Sequence, residues 1–157
     1  MIKNNITRLL DAQKIPYKTY ELSAEKHGAL ETARILNLPP EQVFKSIVVT
    51  RETKGKLILA IVPGSGEVDL KALAQALGEK KLVLPTEREA ERLTGLQAGG
   101  ISPLALINKG FQFVLDASAE NFSEINVSGG QRGLNISLPV KALVELINAR
   151  IAPICKP

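Results

Sequence analysis

The chain reads as an α+β protein, with helices around a mixed, largely antiparallel or barrel-like sheet. Three observations predict this. Apolar runs of strand length recur along the chain. Two pairs of such runs are joined by short turns, ETKG and GGQRG. Helical periodicities fall between the pairs instead of after every strand. No repeat, low-complexity tract or Pro/Gly/Ser-rich linker divides the 157 residues, so 1–157 is expected to form one domain. A chain of this length buries roughly 70% of its unfolded surface and needs no disulfide.

The elements follow in order. Ile6, Leu9, Leu10 and Ile15 recur at helical spacing over 3–14, with Asn4 or Asn5 as the cap and Pro16 as the stop. Alternation in YKTYEL predicts a strand over 17–22, and SAEKHGA is a polar loop. ALETARILNL is a short helix halted by Pro39 and Pro40. FKSIVVT (44–50) and KLILAIVP (56–63) are strands expected to form a hairpin. Asp69 caps a helix that closes at Gly78. KLVLP (81–85) is a short strand. Thr86 and Glu89 have capping-box spacing before the next helix. GLQAGGISP (95–103) is a glycine-rich loop and FQFVLDAS (111–118) a strand. EINVSGG and GLNISL make a second strand pair, and Pro139 starts the final helix.

The residue inventory narrows the chemistry. His27 is the one histidine and sits in a polar loop, where it reads as a solvated side chain rather than a triad member. Cys155 is the one cysteine, so no intrachain disulfide forms, and its place near the end offers little to activate a thiolate. Neither a metal site nor a cofactor is expected, because the four Cys or His ligands of a structural zinc are lacking. GSGEVD (64–69) matches neither common phosphate-loop pattern and reads as a strand-to-helix loop. No signal peptide or apolar run of about 18 residues is seen, so a cytoplasmic protein without a membrane partner is expected. The net charge of +4 suits a phosphate-rich partner. At 4% aromatic residues and no Trp, any RNA contact should fall on phosphate and sugar. What remains for catalysis is Lys, hydroxyls, carboxylates, backbone N–H groups and water. That set suits an activated ester better than an amide.

Lys45 stands out, because a lysine on a half-buried strand beside Phe44 and Ile47 needs a partner for its charge. Gly99 and Gly100 allow backbone N–H groups to approach a ligand.

Three segments, VFKSIVV (43–49), TGLQAGGISPLAL (94–106) and INVSGGQRGLNISL (125–138), together resemble the YbaK/EbsC-type aminoacyl-tRNA deacylases, as does the helix DLKALAQALGEKK (69–81). The same fold occurs as the editing domain of many bacterial prolyl-tRNA synthetases. The resemblance implies hydrolysis of mischarged aminoacyl-tRNA, needed because a synthetase pocket rejects near-isosteric amino acids poorly. It implies that Lys45 holds the tRNA terminus or polarises the ester, and that Gly99 and Gly100 bind the acyl oxygen, with Ser102 and Pro103 shaping the loop exit. Ser128, Gly129 and Gly130 are then a second loop bordering the pocket. Tyr20 is either an aromatic near the pocket mouth or a packed strand residue. Asp116 either binds the substrate ammonium or forms a turn. Asn135 lies where relatives often carry Asp, and Ser46 where Thr is common. The implied partners are the tRNA acceptor end and prolyl-tRNA synthetase, not DNA. Cys-tRNA(Pro) is the favoured substrate and Ala-tRNA(Pro) the alternative. A noncatalytic tRNA-end-binding module and a small-molecule esterase remain as rivals.

Overall fold

The computed structural model describes residues 2–157. In chain order the first elements are α1 (Asn5–Ala12), β1 (Lys18–Glu21), α2 (Ala29–Leu36), β2 (Phe44–Arg51), β3 (Ile58–Pro63) and β4 (Glu67–Val68). Then come α3 (Leu70–Leu77), β5 (Leu82–Val83), α4 (Glu87–Thr94) and β6 (Gln112–Asp116). The last are β7 (Glu124–Ser128), β8 (Leu134–Pro139), α5 (Val140–Ile147), β9 (Arg150–Ala152) and β10 (Cys155–Lys156).

The main sheet has the order β5-β2-β3-β6-β9. Its β5–β2 and β2–β3 pairs are antiparallel, whereas β3–β6 and β6–β9 are parallel. A second sheet, β1-β8-β7, is antiparallel throughout, and β10 pairs antiparallel with β4. The α+β expectation therefore holds with open sheets. The barrel-like variant does not, because neither sheet closes on itself. The sheets meet at one parallel bridge, Val43 to Asn126.

The centre of the fold is β3, every residue of which is buried. Its side chains alternate between two cores. Leu59 and Ile61 join Phe44, Leu115, Ile136 and Leu143 on one face. Ile58, Ala60 and Val62 join Val49, Leu73 and Ile154 on the other. A strand covered on both faces loses the polar half of its alternation, which is why KLILAIVP is almost continuously apolar. Each fully buried Leu or Ile contributes roughly 1.5–3 kcal/mol of transfer free energy.

Local chemistry sets the helix ends. Asn4 Oδ1 accepts the Thr7 N–H at 3.0 Å, and Thr7 Oγ1 accepts the Asn4 N–H at 2.9 Å. Asp69 Oδ1 accepts the Ala72 N–H at 3.1 Å, as its sequence position predicts. Thr86 caps α4 through the Glu89 N–H, while the Glu89 carboxylate lies 3.7 Å from Arg92. Helix α2 ends at Asn37, left-handed with φ 57°, before the two prolines are reached. The sequence reading did not predict β9 and β10, which add the C-terminal residues to the main sheet through β6 and to the two-stranded ladder with β4. Among the described residues no helix is long and apolar enough to cross a membrane.

Candidate functional site

The site forms where two strands part from one edge of β2. At its start Val43 bridges to β7, and at its end Thr50 and Arg51 pair with β5. Between these points the outer edge carries no strand partner among the described residues. An open edge presents backbone donors and acceptors. A cleft of about 380 Å³ opens along the gap. Its floor is Val43–Val48, and its walls come from the 25–29 segment, Leu84–Pro85, α4, the Ala98–Gly99 loop and the β7–β8 hairpin.

Lys45 projects from this floor, with its side chain 23% exposed. Its Nζ donates to Glu67 Oε1 at 3.2 Å, the partner that a half-buried lysine requires. Glu67 lies on β4, opposite Lys156 of β10. The neighbouring Cys155 thiol is pushed up in pKa, first by burial and then by the Asp116 charge, with Lys45 opposing. It stays a protonated thiol at neutral pH, not a nucleophile.

Gly99 lines the cleft and has φ +89°, a conformation that favours glycine. Among the described residues its N–H takes part in no hydrogen bond. Gly100 differs. Its N–H donates to Gln97 O at 2.8 Å and is engaged within the loop. A Cβ at Gly100 would lie 3.0 Å from Gln131 Cα and C, so the residue is a packing contact between loop and hairpin. Arg132 Nε donates to Ala98 O at 2.7 Å and ties the same two segments together.

Of the other expected residues, Ser46, Ser128 and Asn135 line the cleft. Ser128 and Asn135 are cross-strand partners, and Tyr20 is the next partner of Asn135 in that row. Opposed residues share a face, so Tyr20 stands beside Asn135 without lining the cleft itself. Four residues lie elsewhere. Ser102 is fully buried, and its Oγ accepts the Leu104 N–H at 3.2 Å. Pro103 is buried at the start of the same 3-10 turn. Gly129 packs against Leu134, leaving no room for a Cβ. Asp116 is also buried. Its Oδ2 accepts from Ser118 N and Oγ, and its Oδ1 accepts the Ile154 N–H at 2.9 Å. Both carboxylate oxygens of Asp116 thus accept hydrogen bonds from within the fold, as those of a turn-forming carboxylate do.

The sequence reading missed three features. His27 is less open to solvent than a plain loop side chain. Its side chain is 9% exposed and lines the cleft, with Nδ1 2.9 Å from Glu31 Oε1 and Nε2 3.1 Å from Ser23 Oγ. The Glu31 hydrogen bond leads the causes that raise its pKa. The i,i+4 spacing of His27 and Glu31 was the available signal. Glu67 was hidden in GSGEVD, which turns into a strand rather than a plain loop. Finally, Lys26 Nζ reaches Glu87 Oε2 at 2.6 Å, joining two cleft-lining segments. Among the described residues no three His, Cys, Asp or Glu side chains are grouped to hold a metal ion.

Comparison with known proteins places this geometry in context. The profile of the aminoacyl-tRNA editing domain matches residues 23–146. The chain is 36% identical over 154 residues to a protein of Enterococcus faecalis named "Putative Cys-tRNA(Pro)/Cys-tRNA(Cys) deacylase EbsC", covering 97% of this chain and 93% of that one. It is 27% identical over 134 residues to a proline–tRNA ligase of Trichlorobacter lovleyi, of which it spans only 23%. Among solved structures, one described as "a putative trans-editing enzyme for prolyl tRNA synthetase" superposes over the full length of both chains, with a TM-score of 0.78 and 24% identity. That similarity shows the shared fold.

Proposed function

Because the chain belongs to the aminoacyl-tRNA editing domain family, we propose that it is a cytoplasmic deacylase that hydrolyses mischarged aminoacyl-tRNA, with Cys-tRNA(Pro) as the preferred substrate. The observation that carries the reading is Lys45, held by Glu67 on the floor of a cleft that an aminoacyl group can enter. The cleft combines an apolar floor with a few polar groups, the usual composition of a small-ligand site.

In this reading the Lys45 ammonium meets the terminal phosphate or ribose of the tRNA. The Gly99 N–H faces the ester carbonyl, where negative charge develops as the tetrahedral intermediate forms. Ser46, Ser128 and Asn135 offer hydroxyl and amide contacts to the aminoacyl group or ribose. The attacking group comes from solvent or substrate, consistent with the protonated state of Cys155. A water molecule adds to the carbonyl, the ribose oxygen leaves with a proton, and the free amino acid is released. With a cysteinyl ester, the substrate sulfur attacks its own carbonyl carbon and loses its proton as the ribose oxygen leaves protonated. Water then opens the resulting thiolactone.

The test is deacylation of tRNA(Pro) charged separately with Cys, Ala and Pro, by wild type and Lys45→Ala. Loss of Cys alone, slowed by about 10²–10³ in the variant, is the expected result. Loss of Ala in place of Cys keeps the editing activity and changes the substrate. tRNA binding without loss of any of the three overturns the catalytic reading in favour of a binding module.

A further inference from the structure

Lys45 is placed by a chain of contacts that starts at the C-terminal end of the protein. Asp116, at the end of the central parallel strand β6, accepts the Ile154 N–H at 2.9 Å. Ile154 is fully buried, and its carbonyl accepts the Asp69 N–H at 2.8 Å. The β10–β4 ladder follows, with Cys155 opposite Val68 and Lys156 opposite Glu67. Gly66 allows the close approach, since a Cβ there would collide with Cys155 Sγ and lie 2.7 Å from Lys156 O. The backbone of Glu67 is thus held by the β10 ladder, while its side chain is 68% exposed and ends on Lys45 Nζ at 3.2 Å.

An ion pair this exposed adds little to stability. It does restrict a lysine side chain that otherwise has four rotatable bonds. We propose that Glu67 is the positioning residue for Lys45, fixing where its ammonium sits beside the cleft from a strand anchored by the C-terminal ladder. This rests on the deacylase reading above. It also gives Asp116 a role, as the anchor of that ladder and not a contact to substrate.

The experiment compares wild type, Glu67→Gln, Glu67→Asp and Lys45→Ala in two ways. The first is deacylation of Cys-tRNA(Pro), with kcat and KM separated. The second is NMR relaxation at Lys45 Cε in the free protein, which needs no activity. Glu67→Gln should lower kcat/KM by about tenfold to a hundredfold, the scale on which misplaced groups act. The Lys45 Cε should become more mobile, while the unfolding midpoint stays unchanged. Glu67→Asp, one methylene shorter, should restore part of both. Unaltered Lys45 mobility in Glu67→Gln overturns the proposal, as does wild-type kcat/KM beside a defective Lys45→Ala. If wild type cleaves no aminoacyl ester, the deacylase reading fails by itself, and relaxation still decides whether Glu67 holds Lys45.

Discussion

Lys45 and His27 line the same cleft from two kinds of scaffold. Lys45 stands on β2, which pairs along its inner edge with β3, a strand whose six residues are all buried. His27 stands in the segment between β1 and α2, held by Ser23, Glu31 and the neighbouring Lys26–Glu87 pair. The strand floor is fixed by hydrophobic burial, a large term that is lost only when the core opens. The loop wall is fixed by a few polar contacts of about 1 kcal/mol or less each, so it can open locally. The floor that carries Lys45 is therefore expected to be the stiffer wall of the cleft and the 25–29 segment the looser one.

The sharpest way to break the contrast is to hollow out the sheet below the floor. Ile61 is fully buried and packs in the core shared with Phe44 and Leu115. Ile61→Ala should destabilise the protein by about 2–5 kcal/mol, combining lost transfer energy with a residual cavity. Urea unfolding followed by circular dichroism measures it. A cost below about 1 kcal/mol would mean that the floor does not rest on this core.

A smaller effect belongs to His27 and depends on pH. The Glu31 hydrogen bond raises its pKa most, the Ser23 carbonyl and the Glu31 and Glu25 charges assist, and burial opposes. A raised folded pKa means that the folded state holds the proton more tightly than the unfolded chain does. The stabilisation is therefore complete below the unfolded value of about 6.5 and is lost as pH climbs through the raised folded value. Wild type should exceed His27→Gln in urea midpoint at about pH 6, and the gap should narrow by about pH 8.5. A gap of constant size would show that the imidazole contributes packing and not charge.

The same contrast decides what the sequence discloses. Residues governed by local rules were legible: the cap of Asp69, the hairpin around ETKG, the buried run of β3 and the unusual lysine on β2. Residues governed by long-range contact were not. Glu67 and Lys45 are 22 positions apart, and no local pattern joins them. The parallel pairing of β6 with β9 needs a partner from the end of the chain, and three residues in Arg150–Ala152 are too few for a periodicity to show. Asp116 was ambiguous because a carboxylate after a strand serves a turn or a ligand equally well. Its three accepted hydrogen bonds come from residues 118 and 154, and the second of these no local pattern could have named. His27 was misread because a polar loop was taken to be a solvated one.

The smallest effect tests whether the loop wall moves independently of the floor. Lys26 and Glu87 are 48% and 61% exposed, so their 2.6 Å ion pair is screened by water and salt. Lys26→Ala should change global stability by no more than about 0.5 kcal/mol, within the range of exposed pairs. The pair nonetheless ties the 25–28 segment to α4, both of which line the cleft. Its loss should raise the local opening equilibrium of that segment by about a factor of two, because 0.5 kcal/mol is close to RT. Amide hydrogen exchange reads this directly, as faster exchange at residues 25–28 with no change along β2. Faster exchange in both regions would mean that the wall and the floor open together, and that the rigidity assigned to Lys45 depends on the loop after all.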